Sequence, residues 1–142
     1  MTIKRESILS AIVTALAGTT GVSSRIFRSR VEAVARNEAP ALLVEPGDDV
    51  ANQRPVSNCW IDWNLTVDIA VYTRGAVPDQ LAAPIVEDVH AKVMEGRTLG
   101  GLVMDIWPAR VQHLKDQADA TAGWTVLSYG VRYRTRADDL TQ

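Results

Sequence analysis

The sequence predicts an α+β fold: a single mixed or antiparallel β-sheet of about five strands with two α-helices packed on one face. Three observations carry the prediction. From Trp60 to Tyr72 apolar and polar residues alternate without a break, the pattern of a strand with one dry and one wet face. Two separate segments repeat apolar residues at helical spacing. A terminal segment, Trp124 to Arg136, alternates again. The chain has 142 residues, 46% of them hydrophobic and 23% charged. That suits one domain, residues 1–142, built on one core.

Residues 3–17 read as an amphipathic helix with Ile8, Leu9, Ile12, Val13 and Leu16 on one stripe. Thr2 is the expected N-cap, and the turn cluster Gly18-Thr19-Thr20-Gly21 ends the helix. Lys4 and Arg5 before this apolar run imitate a signal peptide, but Glu6 interrupts the approach and the spacing is helical, so none is expected. Val22 to Arg28 reads as a short strand, and Ser29 to Glu38 as either a short helix or an irregular arm. Pro40-Ala41-Leu42-Leu43-Val44-Glu45 is an apolar run closed by Pro46-Gly47, hence a buried strand. Asp48 to Asn58 is polar and aperiodic, a long loop.

The long strand follows and ends at Arg74-Gly75. Between Pro78 and Glu95, Leu81, Ile85, Val89 and Val93 recur four apart and define the second helix. Pro84 is awkward inside a helix, so the main helix is expected to start there, with Asp79 to Ala83 as a preceding turn. Leu102 to Trp107 and Val111 to Leu114 read as one strand bent at Pro108. Lys115 to Gly123 is a polar loop. The last strand places Leu127, Tyr129, Val131 and Tyr133 on one face and Ser128, Gly130, Arg132, Arg134 and Arg136 on the other.

A net charge of −2 argues against a dedicated nucleic-acid binder. No apolar run approaches the roughly 20 residues that span a bilayer. Cys59 is the only cysteine, which excludes an internal disulfide and fits a reducing compartment. A thiol nucleophile needs a base in reach. His90, one turn after Glu87, reads as a surface i, i+3 partner of that residue, and His113 lies on or beside the bent strand. Cys59 itself reads as a small buried filler. Two histidines and one cysteine tens of residues apart make no zinc spacing. The adjacent acids Asp48-Asp49, Glu87-Asp88 and Asp138-Asp139 diverge rather than converge on an ion. The glycine turns lack the lysine of a phosphate loop or a dinucleotide fingerprint, and no serine sits in a nucleophile elbow. No catalytic residue, metal or cofactor is expected.

Charge arranged on a sheet remains. Asp62 and Asp68 share the wet face of the long strand, and Arg132 and Arg134, with Arg136, share that of the last. The ordinary reading is cross-strand pairing in one chain, worth ~0.2–1 kcal/mol a pair. The functional reading is pairing across a subunit boundary, where desolvation raises the stakes. Arg25, Arg28 and Arg30 form a second cluster, either an anchor for an acidic partner or a solvated edge. Trp60 and Tyr72, aromatic on the polar face, are further contact candidates.

The order of an amphipathic helix, the arginine-bearing strand and arm Arg28-Ser29-Arg30, Pro40 to Val44, the long strand, a second helix and the ending Val131-Arg132-Tyr133-Arg134-Thr135 resembles the tail terminator (tail completion) proteins of long-tailed bacteriophages. These include the lambda-like minor tail protein U group. The resemblance covers nearly the whole chain and rests on element order, size and patterning. It implies a non-enzymatic virion protein, assembled in the host cytoplasm and located at the head-proximal end of the tail. It also implies a homohexameric ring that caps the tail tube protein, stops tube polymerisation and offers a joining surface to the head connector or neck protein. DNA passes through such a ring without sequence-specific binding. A ring of head-to-tail contacts uses two different patches, here the Arg28 and Arg30 arm and the acidic face around Asp62 and Asp68. On that pairing, reversing Arg28 or Arg30 to Glu abolishes rings and Asp68→Arg partly rescues them. The long polar loops would suit contacts along the tube axis. The runner-up is another ring-forming head–tail connector or tail tube component. A small-molecule-binding or enzymatic α+β domain ranks last, because no polar groups converge.

Overall fold

The structure, a computed structural model, describes residues 2–30, 32–51, 59–115 and 121–142. Its elements are α1 (Lys4–Ala15), β1 (Ile26–Arg28), a 3-10 turn at Arg36–Glu38, β2 (Ala41–Ala51), β3 (Trp60–Arg74), α2 (Pro78–Glu95), a second 3-10 turn at Leu99–Gly101, β4 (Asp105–Lys115) and β5 (Ala122–Arg136). The strands form one sheet in the order β1-β2-β3-β5-β4. β1 runs parallel to β2 and every other pair is antiparallel. The fold is α+β, with one mixed five-stranded sheet.

The alternation of β3 organises the rest. Leu65, Val67, Ile69 and Val71 enter the core with Leu127, Tyr129, Val131 and Tyr133 of β5. The apolar stripes of α1 (Ile8, Leu9, Ile12) and α2 (Ala82, Ile85, Val89, Val93) close over the same face. Each large aliphatic side chain buried there contributes about 1.5–3 kcal/mol. β3 and β5 pair without a break from Trp60↔Arg136 to Arg74↔Ala122. The helix-covered face is therefore the core, and neither helix covers the opposite, open face.

The structure revises several expectations. The N-cap of α1 is Ile3, not Thr2, and no side chain caps it. Instead the Lys4 N–H donates to the Leu140 carbonyl at 2.8 Å and Lys4 Nζ to the Arg134 carbonyl at 2.9 Å. The C-terminal segment thus supplies the acceptor that a helix start lacks. α2 begins at Pro78, six residues before Pro84, because a first-position proline loses no helical bond and arrives with its φ preset. The Pro78 carbonyl also accepts the Thr73 hydroxyl at 2.7 Å. Pro84 is carried inside the helix, on an exposed stretch where the freed Gln80 carbonyl can meet water.

β2 does not stop at Pro46-Gly47. It runs on to Ala51 through a register shift between Pro46 and Asp49. β1 covers only Leu42 to Val44, so Pro46 lies where β2 is already an edge and its missing donor costs nothing. Of the expected loop from Asp48 to Asn58, the first four residues are thus strand and 52–58 lie outside the described residues. Likewise 116–120 of the Lys115–Gly123 loop lie outside them. Residues 102–104 are not strand, since Gly100 and Gly101 take φ of 70° and 94° and turn the chain first. β4 then bends at Pro108 as expected, with a register shift before Arg110. The described part of the arm between β1 and β2, residues 29–30 and 32–40, is irregular apart from its 3-10 turn.

Cys59 is exposed, not buried, with φ of 58° in the turn before β3. Its carbonyl receives the Ala137 N–H at 2.7 Å, so the position is fixed by the backbone and the thiol faces outward. One glycine has a packing role on the open face. A β-carbon at Gly130 would run into the Trp107 indole, which lies across it from β4.

Candidate subunit and partner interface

The open face of the sheet gathers the even-numbered residues of β3 and β5, and its register decides what each meets. Arg134 stands opposite Asp62, Arg132 opposite Asn64, and Ser128 opposite Asp68. Asp62 is 5% exposed. Arg134 Nε donates to its Oδ1 at 2.6 Å, and Arg132 Nη2 reaches Oδ2 at 3.2 Å from the diagonal position. The hydrogen bond from Arg134 is the largest cause holding the Asp62 carboxyl below its usual range, against the opposing effect of burial. Both arginine side chains stay nearly half exposed, at 45% and 46%. Arg136 turns away to Asp138, at 3.3 Å.

Six residues along β3, roughly 20 Å at strand rise, Asp68 has a different setting. The Ser128 hydroxyl donates to it at 2.6 Å, and no cation among the described residues pairs with it. Its β2 neighbour is Glu45, an exposed carboxylate directly opposite. Like charges so placed repel across strands. The sequence names Asp62 and Asp68 together, and the structure separates them into a neutralised end and an open acidic middle.

The arm is also neutralised from within. Arg28 Nη2 donates to Glu6 Oε1 at 3.0 Å, while its Nε is buried without a partner. Arg30 grips Glu38 with two bonds, at 2.7 and 3.0 Å. Its guanidinium also lies 4.4 Å over the Phe27 ring. The Arg30 bond, helped by the Ala35 N–H, holds the Glu38 carboxyl down to about 2. Arg25 is spent on the carbonyls of Pro40 and Gly21, both at 2.9 Å. Of the two aromatic candidates, Trp60 stays 39% exposed. Tyr72 is buried against Trp124, ring centroids 4.6 Å apart, and takes a bond from Arg74 at 3.2 Å.

Sequence reasoning missed the apolar floor beside Asp68. Leu43, Ala70, Trp124 and Val126 line a trough of about 340 Å3 rimmed by Leu114 and Glu45. It meets a polar depression bordered by Asp48, Thr66 and Arg110, and Asp68 belongs to both. The signal was present in the alternation of β2, since Leu42 and Val44 inward force Leu43 and Glu45 outward.

The two histidines do not approach a catalytic arrangement with Cys59. His90 Nδ1 lies 2.9 Å from the Tyr129 hydroxyl and its ring stacks on that tyrosine at 6.0 Å, rather than meeting Glu87. Burial pushes the Tyr129 phenol up to about 12. His113 is exposed on β4. Among the described residues no group of three or more His, Cys, Asp or Glu could hold a metal ion, and no helix is long and apolar enough to cross a membrane.

No family model matches the sequence, and no curated protein matches it. Among solved structures the chain is similar to one described as the virion of a native gene transfer agent particle. The TM-score is 0.65 at 12% sequence identity, and the match covers 90% of this chain and 95% of that one. The two chains share a fold almost end to end.

Proposed function

We propose that this protein is a non-enzymatic structural component of a phage-like virion, in which copies form a ring capping the tail tube. The ring stops tube polymerisation and provides the surface on which the head connector or neck protein docks. DNA passes through it without sequence-specific contacts. The observation that carries this reading is the nearly full-length likeness to a chain of a gene transfer agent virion. It supports a virion structural role, and the terminator assignment rests on the element-by-element resemblance seen in the sequence. On this reading the protein is assembled in the host cytoplasm and resides at the head-proximal end of the tail.

Function is then geometric, and the ring is homohexameric with head-to-tail contacts. One patch is the Arg28 and Arg30 arm. The other is the end of the open face holding Asp62, Arg132 and Arg134. In the arm each arginine has its own carboxylate, whereas at the other patch two arginines share Asp62, and the arginine side chains of both patches stay partly exposed. Asp68 falls outside this contact and serves a different partner. Arg28→Glu and Arg30→Glu should each convert rings to monomers by light scattering while leaving circular dichroism unchanged. Adding Asp68→Arg should not restore rings. Rescue by Asp68→Arg would move the contact to the middle of the sheet.

Electron microscopy of particles made without the protein tests the role itself. Abnormally long, headless tubes are expected, and tails of normal length would sink the terminator reading. The matched structure is described as a whole particle, which equally supports a ring-forming connector or tube component. A connector would leave normal-length tails unattached to heads, and a tube component would leave no tubes at all.

A further inference from the structure

We propose that the groove across the open face of the sheet is a docking site for a short amphipathic segment of another virion protein, one that places a lysine or arginine between apolar side chains. The groove spans β2, β3, β5 and β4, and neither helix covers it. Its floor is apolar, made by Leu43, Ala70, Trp124 and Val126, with Leu114 45% exposed on the rim.

Charge fixes the chemistry of the occupant. Among the described residues, the carboxylates Glu45, Asp48 and Asp68 border the groove, and Arg110 is the one guanidinium that lines it. Among the described residues none of the three acids is held in an ion pair. Glu45 and Asp68 face each other directly across β2 and β3, a placement that costs stability in the free chain and is relieved by a cation between them. Asp68 is oriented by Ser128 at 2.6 Å, and a carboxylate has acceptor capacity beyond that one bond.

A second copy of this chain fits poorly as the occupant. Its arginine arm is folded onto Glu6 and Glu38, so the arm carries no surplus charge to offer an acidic groove. Arg132 and Arg134 are held on Asp62 within the sheet itself, so neither is presented between apolar side chains that could enter the groove of another copy. A different protein with a free basic, apolar stretch is the complementary partner. The contact is independent of ring formation and can be measured on the isolated chain.

The test uses a fluorescein-labelled pentapeptide alternating leucine with lysine, titrated with the full chain and read by fluorescence anisotropy. Amide shifts of the 15N-labelled chain locate the contact. Saturable binding is expected, with shifts confined to residues around Ala70, Val126 and Ser128. Replacing the peptide lysines by glutamate should abolish it, and replacing the leucines by serine should weaken it. Glu45→Gln combined with Asp68→Asn keeps shape and the Ser128 bond, and should weaken binding roughly tenfold. Asp138→Asn, remote from the groove, should leave it unchanged. Equal binding of the glutamate peptide, shifts elsewhere, or an unaffected double variant would overturn the proposal. So would self-association by sedimentation that the double variant abolishes, since a second copy would then be the occupant.

Discussion

Asp62 and Asp68 occupy the same strand and the same face, six positions apart, and each follows an apolar residue in an unbroken alternation. One is 5% exposed and held by two arginines. The other receives a single hydroxyl and faces a second carboxylate. The difference arises on the neighbouring strands, where Arg134 and Ser128 take the opposite positions in β5 and Glu45 in β2. A polar residue on a sheet is therefore defined by its cross-strand partners more than by its own identity. Asp62 contributes to holding the sheet together, whereas Asp68 has no cationic partner among the described residues.

The most severe way to break this contrast is to take the partners from Asp62. Arg132→Ala with Arg134→Ala leaves a buried carboxylate uncompensated, and should cost about 2–3 kcal/mol at pH 7, less than a fully enclosed pair because both arginines are partly solvated. With the arginines gone only burial remains, which raises the Asp62 pKa. The deficit should then shrink on acidification, as a protonated Asp62 tolerates its site. Urea denaturation at pH 7 and pH 4 reads both effects, and a deficit that grows at pH 4 would refute the mechanism.

Asp62→Asn is milder, about 1 kcal/mol after the same allowance for screening. Because the folded carboxyl titrates below its ordinary value, its stabilisation is complete above the unfolded pKa near ~4. It is lost as pH falls through the depressed folded value. The gap between wild type and Asp62→Asn should therefore be constant from pH 8 to about 5 and close below. The smallest effect is expected at the other carboxylate. Asp68→Asn should change stability by no more than about 0.5 kcal/mol, in either direction, since it removes a repulsion with Glu45 and keeps the Ser128 bond. If its thermal midpoint falls as far as that of Asp62→Asn, the two carboxylates are equivalent and the contrast fails.

Much of the fold was legible because it depends on periodicity. The dry face of β3, the stripe of α2 between Pro78 and Glu95 and the inward residues of β5 need only the 2.0 and 3.6 repeats. Features resting on partners distant in sequence were not. Thr2 has the chemistry of an N-cap, but the Leu140 carbonyl takes over the first helical donor. Pro46-Gly47 looks like a strand end, but an edge position and a bulge let β2 continue. His90 appeared paired with Glu87 on its own helix, while its partner Tyr129 sits on the last strand. The candidate interface divides the same way. That Arg132, Arg134, Asp62 and Asp68 share one face follows from alternation, whereas which carboxylate is satisfied follows from register, which no local pattern encodes.

The contact between Gly130 and Trp107 bears on how this sequence can vary over time. Any residue other than glycine at 130 places a β-carbon against the indole, so a substitution there is tolerated only in a background where position 107 has already become smaller. The two sites, on the consecutive strands β4 and β5, form an ordered mutational pathway: the tryptophan must go first. Among divergent homologues, a side chain at the position equivalent to 130 should be found only where the equivalent of 107 is no longer a large aromatic.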